Sequence, residues 1–215
     1  MASPGRQALV RVMSDATPTV LSNQSCTAVA GSGNTIYEID NRTMRYWSKD
    51  YDVVVEVDTG VGYAPVTSGF LIQHCGGRIH FATALDPGDD VRVSGRYVVV
   101  VTAAKVADAS IAVNGESIDV STFGNNGWRD RIAGLADATG TLTGFYDVDN
   151  LFQDRMLDAE EVIIEFDADT TDTDSPWLAV YAMLNSQELQ GVVSGAVDST
   201  VGWESNGHLI VEPKP

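Results

Sequence analysis

Three groups of residues in this 215-residue chain carry side chains suited to chemistry. Asp167, Asp169, Asp172 and Asp174 alternate with small residues in DADTTDTD, an oxygen-rich run of the kind that holds a hard cation such as calcium. The run lacks the glycine at the sixth position and the bidentate glutamate at the twelfth that an EF-hand loop uses, and so does the run from Asp147 to Asp158. It reads as an exposed acidic loop between strands. His74, His80 and His208 have no i, i+4 helical spacing that would bring two imidazoles to one metal. His80 alternates with Ile79 and Phe81 and His74 adjoins a turn, so all three read as surface or edge histidines. Serines are plentiful, but no G-x-S-x-G elbow exists, and Gly31-Ser32-Gly33 is a flexible loop. Cys26 and Cys75 make neither a disulfide framework nor a metal site, and are expected as buried or half-buried thiols. Carboxylates abound, yet hydrolysis by a carboxylate pair depends on a separation that sequence alone does not give. The expectation is a protein that is not an enzyme, with no cofactor and no metal.

Charge narrows the function further. A formal net charge of −17 excludes ordinary binding to a phosphate backbone, which needs clustered Lys and Arg to release counterions. Acidic and basic residues nearly balance up to Gly134, whereas from Leu135 to Pro213 the one basic residue is Arg155. An acidic surface confers solubility. A sharper reading is that some of these carboxylates line a conduit, where a negative wall lets DNA slide without sticking. Which carboxylates would do so is not set by the sequence.

The elements that must position these groups are β throughout. Residues 8–12, 35–39, 52–58, 70–73, 77–82, 90–93 and 96–102 are short runs rich in β-branched or aromatic residues, divided by Gly, Pro, Asn and Asp. Further strand-like runs follow at 139–146, 161–167, 176–184, 188–196 and 200–211. His74-Cys75-Gly76-Gly77 has the chemistry of a tight hairpin, and Val113-Asn114-Gly115-Glu116 predicts a second, with 109–112 and 117–120 as its arms. The spacing argues for a sandwich or barrel in one continuous domain over residues 35–215, after a partly extended N-terminal segment, 1–34. No run has the length and apolarity of a membrane span, and the N-terminus lacks the apolar core of a secretion signal, so a cytoplasmic chain is expected.

Two segments carry helical patterns. Trp128, Ile132 and Leu135 fall at i, i+4 and i+7, an apolar stripe of about two turns, with Asn126 or Gly127 at its start and Gly134 at its end. This predicts a short helix near residues 127–134 lying on a sheet. Asp149 to Asp158 is a second candidate, a helix or an ordered loop.

The stretch around the first helix has a recurring form. Asp119-Val120-Ser121-Thr122-Phe123, Gly127-Trp128-Arg129-Asp130, Ala133-Gly134-Leu135-Ala136-Asp137 and Thr141-Leu142-Thr143-Gly144-Phe145 follow one another as strand end, helix start, helix end and strand. In this the chain resembles the major tail (tail tube) proteins of long-tailed bacteriophages and related contractile or gene-transfer particles. Thr35 to Asp40, Val53 to Val57, Gly77 to Phe81, Asp89 to Gly95 with Tyr97, and Asp198 to Gly207 match the order of strands in such proteins. The resemblance covers residues 35 to 210.

The resemblance implies an all-β fold, a tail tube β-sandwich with one flanking helix, closing into an inner β-barrel on oligomerisation. It implies a structural virion protein whose hexameric rings stack into a hollow tube, with the tape measure and terminator proteins as tail partners. Double-stranded DNA would pass through the lumen without sequence-specific binding, and no membrane would be involved. The location implied is the virion tail, assembled in the bacterial host cytoplasm. A tail-terminator or distal-tail ring protein on the same fold, and a non-catalytic carbohydrate-binding β-sandwich, are the alternatives. A loop that bridges rings is expected at Asp40 to Tyr51, where Met44, Tyr46, Trp47 and Tyr51 stand among Arg42, Arg45 and Lys49. Aromatic residues and Arg are enriched in interface cores, which makes Arg42, Met44, Arg45, Tyr46, Trp47 and Tyr51 the candidate oligomer-interface residues. A hairpin packing its own aromatics is the other reading of that loop.

Overall fold

The computed structural model describes residues 9–14, 16–102, 106–119, 131–145, 161–167, 176–191 and 197–213. The chain is all-β there. In order, its strands are β1 (Leu9–Met13), β2 (Thr19–Ala28), β3 (Ile36–Ile39), β4 (Val54–Asp58), β5 (Tyr63–Val66), β6 (Phe70–Gln73), β7 (Arg78–Phe81), β8 (Asp90–Tyr97), β9 (Val100–Thr102), β10 (Val106–Asp119), β11 (Arg131–Phe145), β12 (Glu161–Asp167), β13 (Pro176–Gly191), β14 (Val197–Ser205) and β15 (Ile210–Pro213). They fall in two compact units. One draws on Met1–Ala103, Ile163–Val180 and Ile210–Pro215, the other on Ala104–Val162 and Tyr181–Leu209.

The first unit holds an antiparallel seven-stranded sheet in the order β5-β4-β8-β2-β3-β7-β6. Period-two alternation puts Tyr37 and Ile39 of β3, Val55 and Val57 of β4, Ile79 and Phe81 of β7, and Val91 and Val93 of β8 on one buried face. Leu21 and Cys26 of β2 join them although their spacing is odd. The register between β2 and β8 shifts between Leu21 and Gln24, where Asn23 takes φ +48°, and this bulge returns Cys26 to the core face. One face of one sheet thus packs against itself, around Trp47, which means that the sheet curls. Tyr37 meets Phe81 edge-to-face at 5.7 Å, and each large apolar side chain so buried contributes about 1.5–3 kcal/mol.

Residues 1–34 supply β1 and β2, and β2 lies in the middle of the seven-stranded sheet. The expected hairpin at 74–77 forms: Gln73 pairs with Arg78, and Gly76 and Gly77 take φ +107° and +65°. A Cβ on Gly77 would come within 2.9 Å of the Arg45 backbone, so the turn also needs glycine for space. The same unit carries β9-β1-β12 and the first residues of β13, which also pair with β15.

The second unit is the antiparallel array β10-β11-β14 followed by the remainder of β13. Two expectations are corrected here. Asn114 and Gly115 do not turn a hairpin; they continue β10, facing Asp137 and Ala136 of β11. The partner strand β11, long enough to pair with β10 from Val106 to Asp119, outweighs the local turn preference of Asn-Gly. The helix expected near 127–134 does not reach its end: from Arg131 the chain is β11, with Arg131, Ile132 and Ala133 facing Asp119, Ile118 and Ser117. A stripe of about two turns is short of the ~12–15 residues an isolated helix needs, and Gly134 lowers helix propensity further. Gly134 falls instead where the ladder steps from Gly115↔Ala136 to Ser117↔Ala133, a bulge. Residues 127–130, and the second helix candidate at 149–158, lie outside the described residues.

Both cysteines are buried. Burial, and then the Asp40 carboxylate, push the Cys26 thiol up to about 12. The folded protein should therefore show no fast-reacting thiol towards a disulfide reagent at pH 8, and both should react on denaturation. Rapid native labelling of Cys26 would contradict this packing.

Candidate functional site

The loop 40–51 is built from the residues upward. Asn41 caps a 3-10 turn at Arg42–Met44, its Oδ1 accepting from Thr43 N at 3.2 Å and Thr43 Oγ1 at 2.7 Å. Tyr46 then bridges to Cys75 and Trp47 to Tyr97, with Trp47 N donating to His74 O at 2.9 Å and Val98 N to Tyr46 O at 2.8 Å. These backbone bonds draw the middle of the loop inward. Arg45, Tyr46 and Trp47 are buried within the chain, Trp47 completely; Met44 is half-buried, and Arg42 and Tyr51 are exposed. The Arg45 guanidinium lies 4.1 Å over the Trp177 ring, and that of Arg96 lies 4.5 Å over Tyr51.

Behind this loop sits a polar group the sequence reading passed over. Glu165 is buried among the apolar residues of β12, ion-paired with Arg11 of β1, its register partner. Tyr46 Oη donates to its other oxygen at 2.6 Å. Burial, then the Glu165 charge, raise the Tyr46 hydroxyl far above its usual range, so it stays a donor. The signal was present in EVIIEFD, where one glutamate interrupts an apolar run. Each Glu165 oxygen has a partner from a different segment, which makes the group a brace between strand and loop.

The second unit presents a different surface. Cross-strand partners share a face, so the registers assign every described side chain of this array to one of two sides. Ile111, Val113, Ala138, Leu142, Val201, Trp203 and Leu184 form the apolar side. The indole of Trp203 lies across Gly140, its register partner, where a Cβ would meet the ring at 2.6 Å. The other side carries Asp108, Ser110, Ala112, Asn114 and Glu116 of β10, Asp137, Thr139, Thr141 and Thr143 of β11, Asp198, Thr200 and Glu204 of β14, and Met183, Ser186, Glu188 and Gln190 of β13. Hydroxyls join neighbouring strands there, Ser110 to Thr141 at 2.8 Å and Thr143 to Thr200 at 3.2 Å. Among the described residues this side has the carboxylates of Asp108, Glu116, Asp137, Asp198, Glu188 and Glu204 and no Lys or Arg.

Of the other sequence candidates, Asp167 is buried and residues 168–174 lie outside the described residues. His74 and His80 are half-buried, His80 Nε2 lying 3.1 Å from Gln73 Oε1, while His208 is exposed. Since β7 is flanked by β3 and β6, His80 is on an interior strand and not at an edge.

No protein-family model and no curated protein matches the chain. Among solved structures it is similar to the tail of an empty gene transfer agent particle refined with helical, C6 symmetry: TM-score 0.46, 20% identity, over 53% of this chain and 87% of that one. It is similar likewise to a chain in the virion of a native gene transfer agent particle, with TM-score 0.45 and 21% identity over 53% and 88%. A third likeness is to the SPP1 tail tube, with TM-score 0.39 and 12% identity over 76% and 77%.

Two substitutions test the geometry. Tyr46→Phe removes a donor from a buried carboxylate and should cost about 1.5–3 kcal/mol in urea unfolding. Gly140→Ala drives a methyl into the Ser110 carbonyl oxygen and the Trp203 indole and should cost about 1–3 kcal/mol, with an altered near-ultraviolet signal from the displaced ring. An unchanged near-ultraviolet signal together with wild-type stability would mean that neither group crowds Gly140.

Proposed function

We propose that the chain is the subunit of a phage-type tail tube, whose copies close into hexameric rings and stack into a hollow conduit for double-stranded DNA. The observation that carries this reading is the polar side of the β10-β11-β14-β13 array, which has hydroxyls and carboxylates and, among the described residues, no cation. As the lumen wall it would offer DNA phosphates repulsion and no counterion to exchange, so the duplex slides and does not bind. The order of motifs from residue 35 to 210 supports the same reading.

Ring closure needs an edge, and among the described residues β10 is a terminal strand. It carries no proline, and strand pairing between copies would satisfy its outward backbone groups and join the arrays into a closed inner barrel. Stacking of rings is a heterologous contact that makes an open filament. In the loop 40–51 the residues available to such contacts are Arg42, Met44 and Tyr51; Arg45, Tyr46 and Trp47 support them from inside. Tape measure and terminator proteins would meet the tube at its ends, with assembly in the cytoplasm of a bacterial host.

Negative-stain electron microscopy of the purified protein should show hollow rings or tubes of uniform width. They should form more readily at high salt, which screens the mutual repulsion of copies at −17 each. A protein that stays monomeric at every concentration and salt would defeat the reading. Thr141→Lys, on the polar side, should leave assembly intact but make the tubes retain short DNA duplexes in a salt-sensitive way.

A further inference from the structure

Arg45 is a cation kept inside the first unit, 8% exposed, and its hydrogen-bonding capacity is largely unmet. Its guanidinium carbon lies 4.1 Å from the centre of the Trp177 ring and 5.8 Å from that of Tyr46. Nε donates to Arg42 O at 2.9 Å. A guanidinium has five N–H donors, and that bond takes one of them. Among the described residues Nη1 and Nη2 meet no acceptor, and no carboxylate stands within ion-pair distance of them. Carboxylates on the surrounding segments are engaged elsewhere: Glu165 with Arg11 and Tyr46, Glu38 with Arg42 and Arg78, Asp40 with Thr27. Asp50 and Asp52, later in the same loop, make no ion pair with Arg45.

The guanidinium is nevertheless held in a set orientation. Stacking on the indole fixes its plane, and the Arg42 carbonyl fixes its rotation, so the edge that remains is the one formed by Nη1 and Nη2. Trp177 Nε1, in the ring beneath, is a sealed donor without an acceptor among the described residues, whereas Nη1 and Nη2 are not sealed from solvent. Every unmet group of the stacked pair is thus a donor, and the side left open is the Nη edge. Taking an unpaired cation out of water is unfavourable, and an aromatic face offsets only part of the cost. Two oxygens of one carboxylate, set end-on against the Nη edge, would supply the remainder.

We propose that the Nη edge of Arg45 is a socket for an Asp or Glu side chain of a second copy of this chain. This rests on the tube reading above and gives ring stacking a specific polar contact. Asp and Glu outnumber Lys and Arg 30 to 13 in the sequence, so a second copy brings the acceptor in excess. In the loop 40–51 the socket is flanked by Arg42 and Tyr51, the exposed rim of the same segment. One copy gives the cation and the next gives the anion, so the contact is heterologous and repeats along a filament. A receiver fixed in advance loses little freedom on docking, and a single bidentate pair sets the register.

Sedimentation velocity over a concentration series, with electron microscopy of the products, compares wild type, Arg45→Lys and Arg45→Gln. Each is run in sodium chloride and in sodium succinate of equal ionic strength, with circular dichroism to check folding. Arg45→Gln should raise the concentration for tube formation by about tenfold or more, and Arg45→Lys, which keeps the charge and loses the fork, by less. Succinate should fill the socket and raise that concentration for wild type while leaving Arg45→Gln unmoved. Equal ionic strength removes screening as the cause, and the succinate comparison on wild type decides the matter if Arg45→Gln does not fold. If wild type forms tubes and neither Arg45→Gln nor succinate changes the concentration needed, the socket is wrong and the tube reading survives. An equal succinate effect on wild type and Arg45→Gln would mean an adventitious ion only, and the socket falls. A wild type that never self-associates overturns both.

Discussion

An unpaired strand edge is the constraint on which this molecule turns. Each strand offers a row of backbone donors and acceptors, and a chain that is all-β where it is described must satisfy them by pairing, by water or by another copy. The seven-stranded sheet meets the demand by curling about Trp47, and its edge strand β5 carries Pro65, which has no donor to offer. Among the described residues the array of the second unit ends in β10, long and free of proline.

Alternation supplies the second half of the logic. A strand has two faces, and when one is apolar the other is free to take its composition from function. In the β10-β11-β14-β13 array that freedom is spent on threonine, serine and carboxylate, with Gly140 giving up its side chain so that Trp203 can lie flat on the apolar side. Threonine is both β-branched and hydroxylated. It stabilises the strand while presenting to solvent a hydroxyl that carries no positive charge.

The first unit shows how a polar group is kept inside an apolar layer. Glu165 could not stand alone among its buried neighbours; Arg11 neutralises its charge and Tyr46 occupies its second oxygen. In consequence the loop 40–51 is pinned at its centre and exposed at its rim. The residues that looked like a contact patch in one dimension divide, in three, into a buried brace and an exposed border.

The all-β class was legible in the sequence, because strand composition and Gly, Pro, Asn and Asp punctuation are local properties. So were the 74–77 turn, whose glycines need positive φ, and the burial of both cysteines. Other features waited on pairing. β2 is polar and broken by a bulge at Asn23, so its alternation fails on paper, yet β3 and β8 hold it at the centre of a sheet. Asn114-Gly115 reads as a turn until a partner strand long enough to override it is found. The chain alone sets how many carboxylates there are and which share a strand face. Only the register between strands distant in sequence decides that Asp108, Asp137, Asp198, Glu188 and Glu204 stand together on one side. Side-chain direction is fixed within each strand by its pleat, whereas neighbourhood between strands is fixed by hydrogen bonds that close over long loops.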